Sequence, residues 1–437
     1  MFKNFPPVRR PSPFLAVTAG HLAIDVWNSM GPVLVAFLRT PLGLTAAEVG
    51  LAVGSYQFLA GVTQPPFGWL ADRIGSRVLG PLSVVWTIGL VTLALAAAVR
   101  TGSYGLFLAL FSLAALGSGA FHPQGVMHSA RAAAAGSAAT ATAVFFLFGQ
   151  VGLAGGPILS GFLLERAGPP GIYALAAMAL PVALLMAAGL RGTAGTPADA
   201  GTPADETPVT GRDRAAGAAD RFAAPRASHQ AGAASRGTAV VVALLAVIFT
   251  CRGWVTIGTA AFLPSLFQAA GWSPSEYGMV TGLYWLGAGV SGVVAGRAAD
   301  RWGRRPVVAA TTLAGAALLV ALPVSRGVWA LVVALAAGAL MGAAHSILIV
   351  MAQALLPVRQ GLASGLALGY LFGAGAVSSL AIGVLADVWG LARVIQGGAA
   401  VGLLAAVLTA FLPPSRDRSL PGGIAASSPG AMPAARL

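Results

Sequence analysis

The chain has 437 residues, 57% of them hydrophobic and only 9% charged, with a mean hydropathy of +0.81. A soluble domain carries roughly a quarter charged residues, so this chain has too few to cover a surface that faces water. A net charge of +13 would suit a nucleic-acid partner, but the charges sit in short breaks between apolar segments, which excludes a basic binding face and reads as membrane topology. A single cysteine, Cys251, leaves no internal disulfide to form.

The opening stretch, Met1 to Pro13 with Lys3, Arg9 and Arg10, leads into an apolar segment too long for a cleaved signal peptide. Crossing roughly 30 Å of hydrocarbon takes a helix of about 20 apolar residues. Twelve such spans are expected, at 14–37, 47–71, 78–99, 103–128, 136–163, 171–190, 238–267, 276–299, 306–324, 327–355, 361–386 and 393–413. Small residues crowd spans 4, 5, 10 and 11 (among them Gly117-Ser118-Gly119-Ala120, Gly152 to Gly156 and Gly373-Ala374-Gly375), which lets helices approach closely. Residues 191–237 break the pattern: they are rich in Ala, Gly, Thr, Pro and Asp and carry Gly-Thr-Pro-Ala-Asp twice, at 195–199 and 201–205. This segment reads as a flexible cytoplasmic linker between two six-helix halves, 1–190 and 238–414, and 415–437 reads as a disordered cytoplasmic tail.

Lys and Arg set the orientation. Twenty of them fall on the side of the termini and the even-numbered loops, five on the other, and Arg252 lies inside a span. The excess belongs in the cytoplasm, so both termini of this multi-pass protein are expected there.

The strongest pattern is a repeat. Gly68-Trp69-Leu70-Ala71-Asp72-Arg73-Ile74-Gly75-Ser76-Arg77 returns as Gly296-Arg297-Ala298-Ala299-Asp300-Arg301-Trp302-Gly303-Arg304-Arg305. Asp72 and Asp300 are 228 residues apart, and each stretch is a charged hairpin between two spans. Leu116 to His122 in span 4 matches Leu340 to His345 in span 10, and Phe146 to Gly149 in span 5 matches Tyr370 to Gly373 in span 11, at offsets of 223 and 224. Two like halves about a central axis fit alternating access to one midplane site. The hairpin pattern resembles the loop signature of the major facilitator superfamily of secondary transporters. That resemblance implies an all-α fold of twelve membrane helices and a gating role for Gly68, Asp72, Arg73, Gly75, Arg77, Gly296, Asp300, Arg301, Gly303, Arg304 and Arg305. On the residues alone, a charged latch and a plain orientation signal both remain open.

Ionisable groups inside spans are costly, and mark function by default. They are His21 and Asp25 in span 1, His122 in span 4, Arg252 in span 7 and His345 in span 10: the first and fourth helix of each half. In the superfamily those helices line the central cavity. His21 and Asp25 are four apart and share a helix face. A carboxylate about 11 residues into a span either takes a proton or pairs with a cation, and His21 and Arg252 are both available to it. Arg252 keeps its charge, so it faces a cavity or an acid, and its planar fork suits a carboxylate or phosphonate ligand. His122 precedes Pro123, which allows a kink as well as a binding role. His345 either binds or bonds a neighbouring carbonyl. Trp27, Tyr56, Gln57, Trp254, Tyr284 and Trp285 are candidates to line a cavity or simply to pack. No cofactor and no metal is expected: His122 and His128 lack a nearby carboxylate in sequence.

Several stretches carry a closer resemblance: His21-Leu22-Ala23-Ile24-Asp25, Gln64 to Arg73, Phe121-His122-Pro123-Gln124, Met351 to Gly365, and Gly383 to Asp387. Together they resemble the fosmidomycin resistance protein family within the superfamily, over nearly all of the chain outside the linker and tails. One departure is Gln124, where that family usually has Glu, so the acid of span 4 is absent here. The resemblance implies a proton-driven exporter of a small, often anionic compound in a bacterial inner membrane. Together with the residues themselves, it leads to an expected monomer with proton coupling at Asp25 and His21 and substrate contacts at Arg252, His122, Gln124, His345, Trp27, Trp254 and Gln57. An importer driven by protons and a membrane sensor are the rival expectations; an enzyme is not expected.

Overall fold

Helix starts and stops are written into the sequence at several span ends. Ser12 caps the first helix, its Oγ accepting from the Leu15 N–H at 3.1 Å, with Pro13 at the first helical position where no N–H is needed. Thr45 with Glu48, and Ser273 with Glu276, each form a reciprocal capping box. Gly303, with φ +91°, turns the chain sharply between spans 8 and 9 in a conformation that side chains avoid.

The computed structural model describes residues 11–74, 76–131, 138–192, 236–355 and 360–413. Span 1 is Pro13–Leu42, span 2 the pair Ala46–Val62 and Gln64–Ile74, span 3 Ser76–Thr101, and span 4 Tyr104–Arg131. Span 5 is Ala138–Ala167 and span 6 the pair Pro169–Ala176 and Ala179–Gly189. In the second half, span 7 joins Arg236–Arg252 to Thr259–Ala269, followed by Pro274–Trp302, Arg304–Ala321, Gly327–Leu355, Gln360–Trp389 and Leu391–Ala410 as spans 8 to 12. Among the described residues, eleven helices are long and apolar enough to cross a membrane. The span outside that set is span 2, expected whole at 47–71 but divided at Thr63. Pro65 and Pro66 cannot donate to the carbonyls one turn back, and Thr63 Oγ1 turns to the Leu59 carbonyl at 2.6 Å. The expected linker, apart from 191–192 and 236–237, and the expected tail at 415–437 lie outside the described residues.

Span 7 is continuous but widened. Residues Gly253–Gly258 form one π turn, a local widening of the helix that recurs at functional sites. Tyr284 Oη, from span 8, donates to the Val255 carbonyl at 3.3 Å and the Thr256 carbonyl at 3.2 Å inside that turn.

Within the first half, span 1 packs on spans 5, 4 and 6, and span 3 on spans 4 and 6; in the second, span 8 packs on span 10 and span 9 on spans 12 and 10. The halves meet chiefly where span 2 packs on span 11, span 5 on span 8, and span 1 on the end of span 7. Close approach in the first two pairs depends on glycine. A Cβ on Gly54 would stand 2.7 Å from the Ala376 carbonyl, and one on Gly282 2.6 Å from the Ala154 carbonyl. Gln268 Nε2 adds a bond to the Ala36 carbonyl at 2.6 Å. These contacts gather toward the end of the molecule opposite the two charged hairpins. Large apolar side chains such as Val294, Val328, Trp329 and Val388 stay exposed on the outside, where a bilayer's hydrocarbon would cover them.

Candidate functional site

The polar groups of the first half converge. His21 Nε2 lies 3.2 Å from Asp25 Oδ2, and His122 Nε2, from span 4, lies 3.4 Å from Asp25 Oδ1. His21 and Asp25 are buried, and His122 is partly open, with 22% of its side chain accessible. Ligand-type atoms of the three residues all fall within 4.8 Å of one another, a spacing that suits one shared cation.

The neighbours hold this triad in one arrangement. His21 Nδ1 is 2.8 Å from the Phe145 carbonyl, and its ring stacks on Phe145 at 4.0 Å between centroids. His122 Nδ1 is 2.8 Å from the Ser118 carbonyl one turn back in the same helix. Asn28 Nδ2 donates to Asp25 Oδ1 and to Ser118 Oγ, both at 3.0 Å, while Tyr56 Oη donates to Asn28 Oδ1 at 2.6 Å. Gly149 of span 5 leaves the room: a Cβ there would stand 2.6 Å from His21 Nε2 and 2.8 Å from Asp25 Oδ2.

This geometry has a chemical consequence. A carbonyl only accepts, so each Nδ1 carries its hydrogen, and in a neutral ring each Nε2 is then a bare acceptor. Both bare nitrogens would face a carboxylate, which is also only an acceptor. The two contacts attract when a proton sits in them and repel when neither holds one. Up to two protons fit, one per imidazole, around one carboxylate.

The second half holds a counterpart of opposite charge. Arg252 follows Asp25 by 227 residues and His345 follows His122 by 223, the spacing of the repeat. Arg252 is buried, donates to the Met341 carbonyl and, at 3.2 Å, to Thr312 Oγ1, and no ion pair to Asp25 is formed. Arg252 and His345 line one small cavity with Thr256, Phe249, Ile257, Leu348 and Leu371. Thr256 Oγ1 is buried there without a hydrogen-bond partner among the described residues.

The remaining expected residues are dispersed. Trp27 is fully buried in the core, and its indole N–H has no partner among the described residues. Gln124 turns from Asp25: its Nε2 donates to the Ala120 carbonyl at 2.6 Å, and its Oε1 lies toward Gly80 of span 3. Gln57 Oε1 is buried without a partner among the described residues, and Trp254 packs between the apolar clusters of the second half. In the hairpins, Arg73 lies over the Trp69 ring at 3.8 Å and Arg301 over Trp302 at 5.8 Å. Arg305 donates to the Leu412 carbonyl at 2.5 Å, tying span 9 to the end of span 12. The Asp72 side chain, Gly75 and the side chains of 353–368 lie outside the described residues. Sequence reading missed Asn28, although it follows Asp25 by three residues on the same face; Ser118 was noted only as a small residue of span 4, and Phe145 and Thr312 carried no signal.

Two pseudo-symmetric six-helix halves around a few buried polar groups define a membrane transporter for small molecules. The model of the Major Facilitator Superfamily matches the chain twice, over residues 17–258 and 242–433, and the chain belongs to that superfamily. It is 27% identical to the fosmidomycin resistance protein of Escherichia coli (strain K12) over 406 residues, 92% of this chain and 93% of that one. It is 26% identical to the MFS-type transporter YfnC of Bacillus subtilis (strain 168), over 91% of each. Among solved structures, a D-xylose–proton symporter superposes with a TM-score of 0.69 at 16% identity, covering 92% of this chain and 97% of that one. A bacterial homologue of the human lysosomal transporter Spinster, inward-facing and occupied, superposes at 0.67 with 15% identity, over 91% and 96%. As expected from the sequence, the protein is a transporter and not an enzyme.

Proposed function

We propose that the chain is a proton-coupled secondary transporter that exports a small organic compound, exchanging it for protons at the His21–Asp25–His122 triad. The observation that carries this reading is the pair of imidazoles whose Nδ1 atoms are committed to carbonyls while both Nε2 atoms face Asp25. Such a cluster exists to hold and release protons. His122, the partly open member, is where protons reach it.

The compound carries an anionic group that Arg252 recognises. A buried guanidinium beside His345 and the unpartnered Thr256 hydroxyl supplies donors to such a group. Proton and substrate therefore occupy matching places in the two halves, 1–190 and 238–414, which rock about them as a monomer. Export, in place of uptake, is supported by the resemblance to the fosmidomycin resistance protein. The excess of Lys and Arg on the hairpin side supports an inner-membrane protein with that side and both termini in the cytoplasm.

Proton flux in proteoliposomes under an imposed substrate gradient tests this, with fosmidomycin and small organic anions as substrates. Export predicts substrate and protons moving in opposite directions, and no proton movement in Asp25→Asn. Movement in the same direction would make the protein a symporter. Labelled-substrate exchange without any proton movement in the wild type would end the coupling role of Asp25.

A further inference from the structure

The first turn of a helix leaves four N–H groups without a partner inside the helix. At span 2, the capping box takes two of them: Thr45 N donates to Glu48 Oε2 at 2.9 Å, and Glu48 N to Thr45 Oγ1 at 3.1 Å. The other two are taken from the opposite half. Ala46 N donates to Asp387 Oδ1 at 2.7 Å and Ala47 N to Asp387 Oδ2 at 2.9 Å, and Asp387 closes span 11.

Span 8 repeats the arrangement with the halves exchanged. Ser273 N donates to Glu276 Oε2 at 2.7 Å and Glu276 N to Ser273 Oγ at 3.4 Å. Pro274 has no N–H to satisfy, and the one that remains, Ser275 N, donates to Glu165 Oε2 at 2.9 Å. Glu165 closes span 5, in the first half. Thr45 and Ser273 are 228 residues apart, and Glu165 and Asp387 are 222 apart, so the two arrangements are copies under the internal repeat. Neither helix start is complete unless the other half is docked against it.

We infer that Glu165 and Asp387 are a symmetry-related pair of latches that hold the two halves together at the end opposite the charged hairpins, and that opening this end releases both. The inference rests on the alternating-access reading. The latches lie beside the glycine contacts that bring spans 2 and 11, and spans 5 and 8, together: Gly383 against Ala46, and Gly161 against Pro274. Glycine permits the approach there, and the carboxylates add charge-assisted bonds that exist only in the closed arrangement. Asp387 holds two N–H groups and Glu165 one, so Asp387 is the stronger latch.

The test is the distance between the halves. Spin labels on Thr101→Cys and Val328→Cys, at this end of the first and second half, are followed by pulsed electron spin resonance in a Cys251→Ala background. Asp387→Asn raises the long-distance to short-distance ratio roughly two- to fivefold, Glu165→Gln raises it less, and the double variant raises it by about the product of the two. Asp387→Glu, which keeps the charge, recovers part of the wild-type ratio. Glu48→Gln, which breaks a contact within one half, leaves it unchanged. A double variant with the wild-type distribution, or Glu48→Gln matching Asp387→Asn, would overturn the proposal. Substrate-driven proton flux in the same variants reads the transport proposal separately, because no latch touches the triad.

Discussion

His122 Nε2 meets Asp25 Oδ1 at 3.4 Å across the boundary between spans 4 and 1, while His21 Nε2 meets the other oxygen from within span 1 at 3.2 Å. One carboxylate thus serves two imidazoles on different helices. Movement of span 4 against span 1 changes one contact and spares the other, which is how a conformational change is able to alter proton affinity.

The first prediction concerns pH. In an antiporter, protons on the triad oppose substrate, so raising pH from acid to mildly alkaline values strengthens substrate binding, by roughly five- to a hundredfold if the coupling is of ordinary size. His122→Gln removes most of that dependence and Asp25→Asn removes all of it, with both proteins still folded. Equilibrium binding of labelled substrate across this range checks it; an unchanged slope in Asp25→Asn would place the titrating group elsewhere.

Much of this was legible before any coordinates. Composition alone demands a membrane protein, the doubled hairpin demands two halves, and the scarcity of ionisable residues in apolar spans singles out His21, Asp25, His122, Arg252 and His345. What the sequence could not supply was direction. Asp25 had His21 and Arg252 as competing partners, and the choice fell to His21 together with His122, because Arg252 turns to the Met341 carbonyl in its own half. Gln124 sits two residues from His122, yet about 200° of helical rotation separates them, so its amide faces span 3. The division of span 2 was within reach of the Pro65-Pro66 pair, but the apolar run masked it.

Gly149 yields a prediction that touches no titratable group. Gly149→Ala places a methyl against His21 Nε2 and Asp25 Oδ2, so either the rings shift or span 5 retreats from span 1. We expect a stability loss of about 1–3 kcal/mol and a fall in proton coupling. Gly155→Ala, on the same helix with open space around it, should do neither. Thermal unfolding in detergent and proton flux, measured side by side, check the pair.

Tyr56 tests the support of the triad. Its hydroxyl donates to Asn28 Oδ1 at 2.6 Å and so fixes which way the Asn28 amide points toward Asp25. Tyr56→Phe removes that constraint at a stability cost of about 0.6 kcal/mol, the usual worth of one hydrogen bond between membrane helices. The pH dependence of substrate binding should become shallower, with binding at high pH little changed. If binding weakens equally at every pH, Tyr56 contacts substrate and does not act through Asn28.

Arg252 separates recognition from packing. Its guanidinium spans two roles, bonding the Met341 carbonyl and Thr312 on one side and lining the cavity with Thr256 and His345 on the other. Lysine keeps the charge but lacks the planar fork, so Arg252→Lys should raise the KM for an anionic substrate about tenfold or more with modest loss of stability. Arg252→Met removes the buried charge altogether. A buried charge replaced by an apolar side chain of similar volume often leaves a protein as stable as before or more so. Arg252→Met should therefore fold well, keep the proton site, and fail to bind anions. An Arg252→Met protein that binds them as tightly as the wild type would make Arg252 a packing residue and move the substrate's anionic group elsewhere in the cavity. Thermal unfolding and substrate binding on the two variants decide between these outcomes, because packing and recognition predict opposite orders of effect.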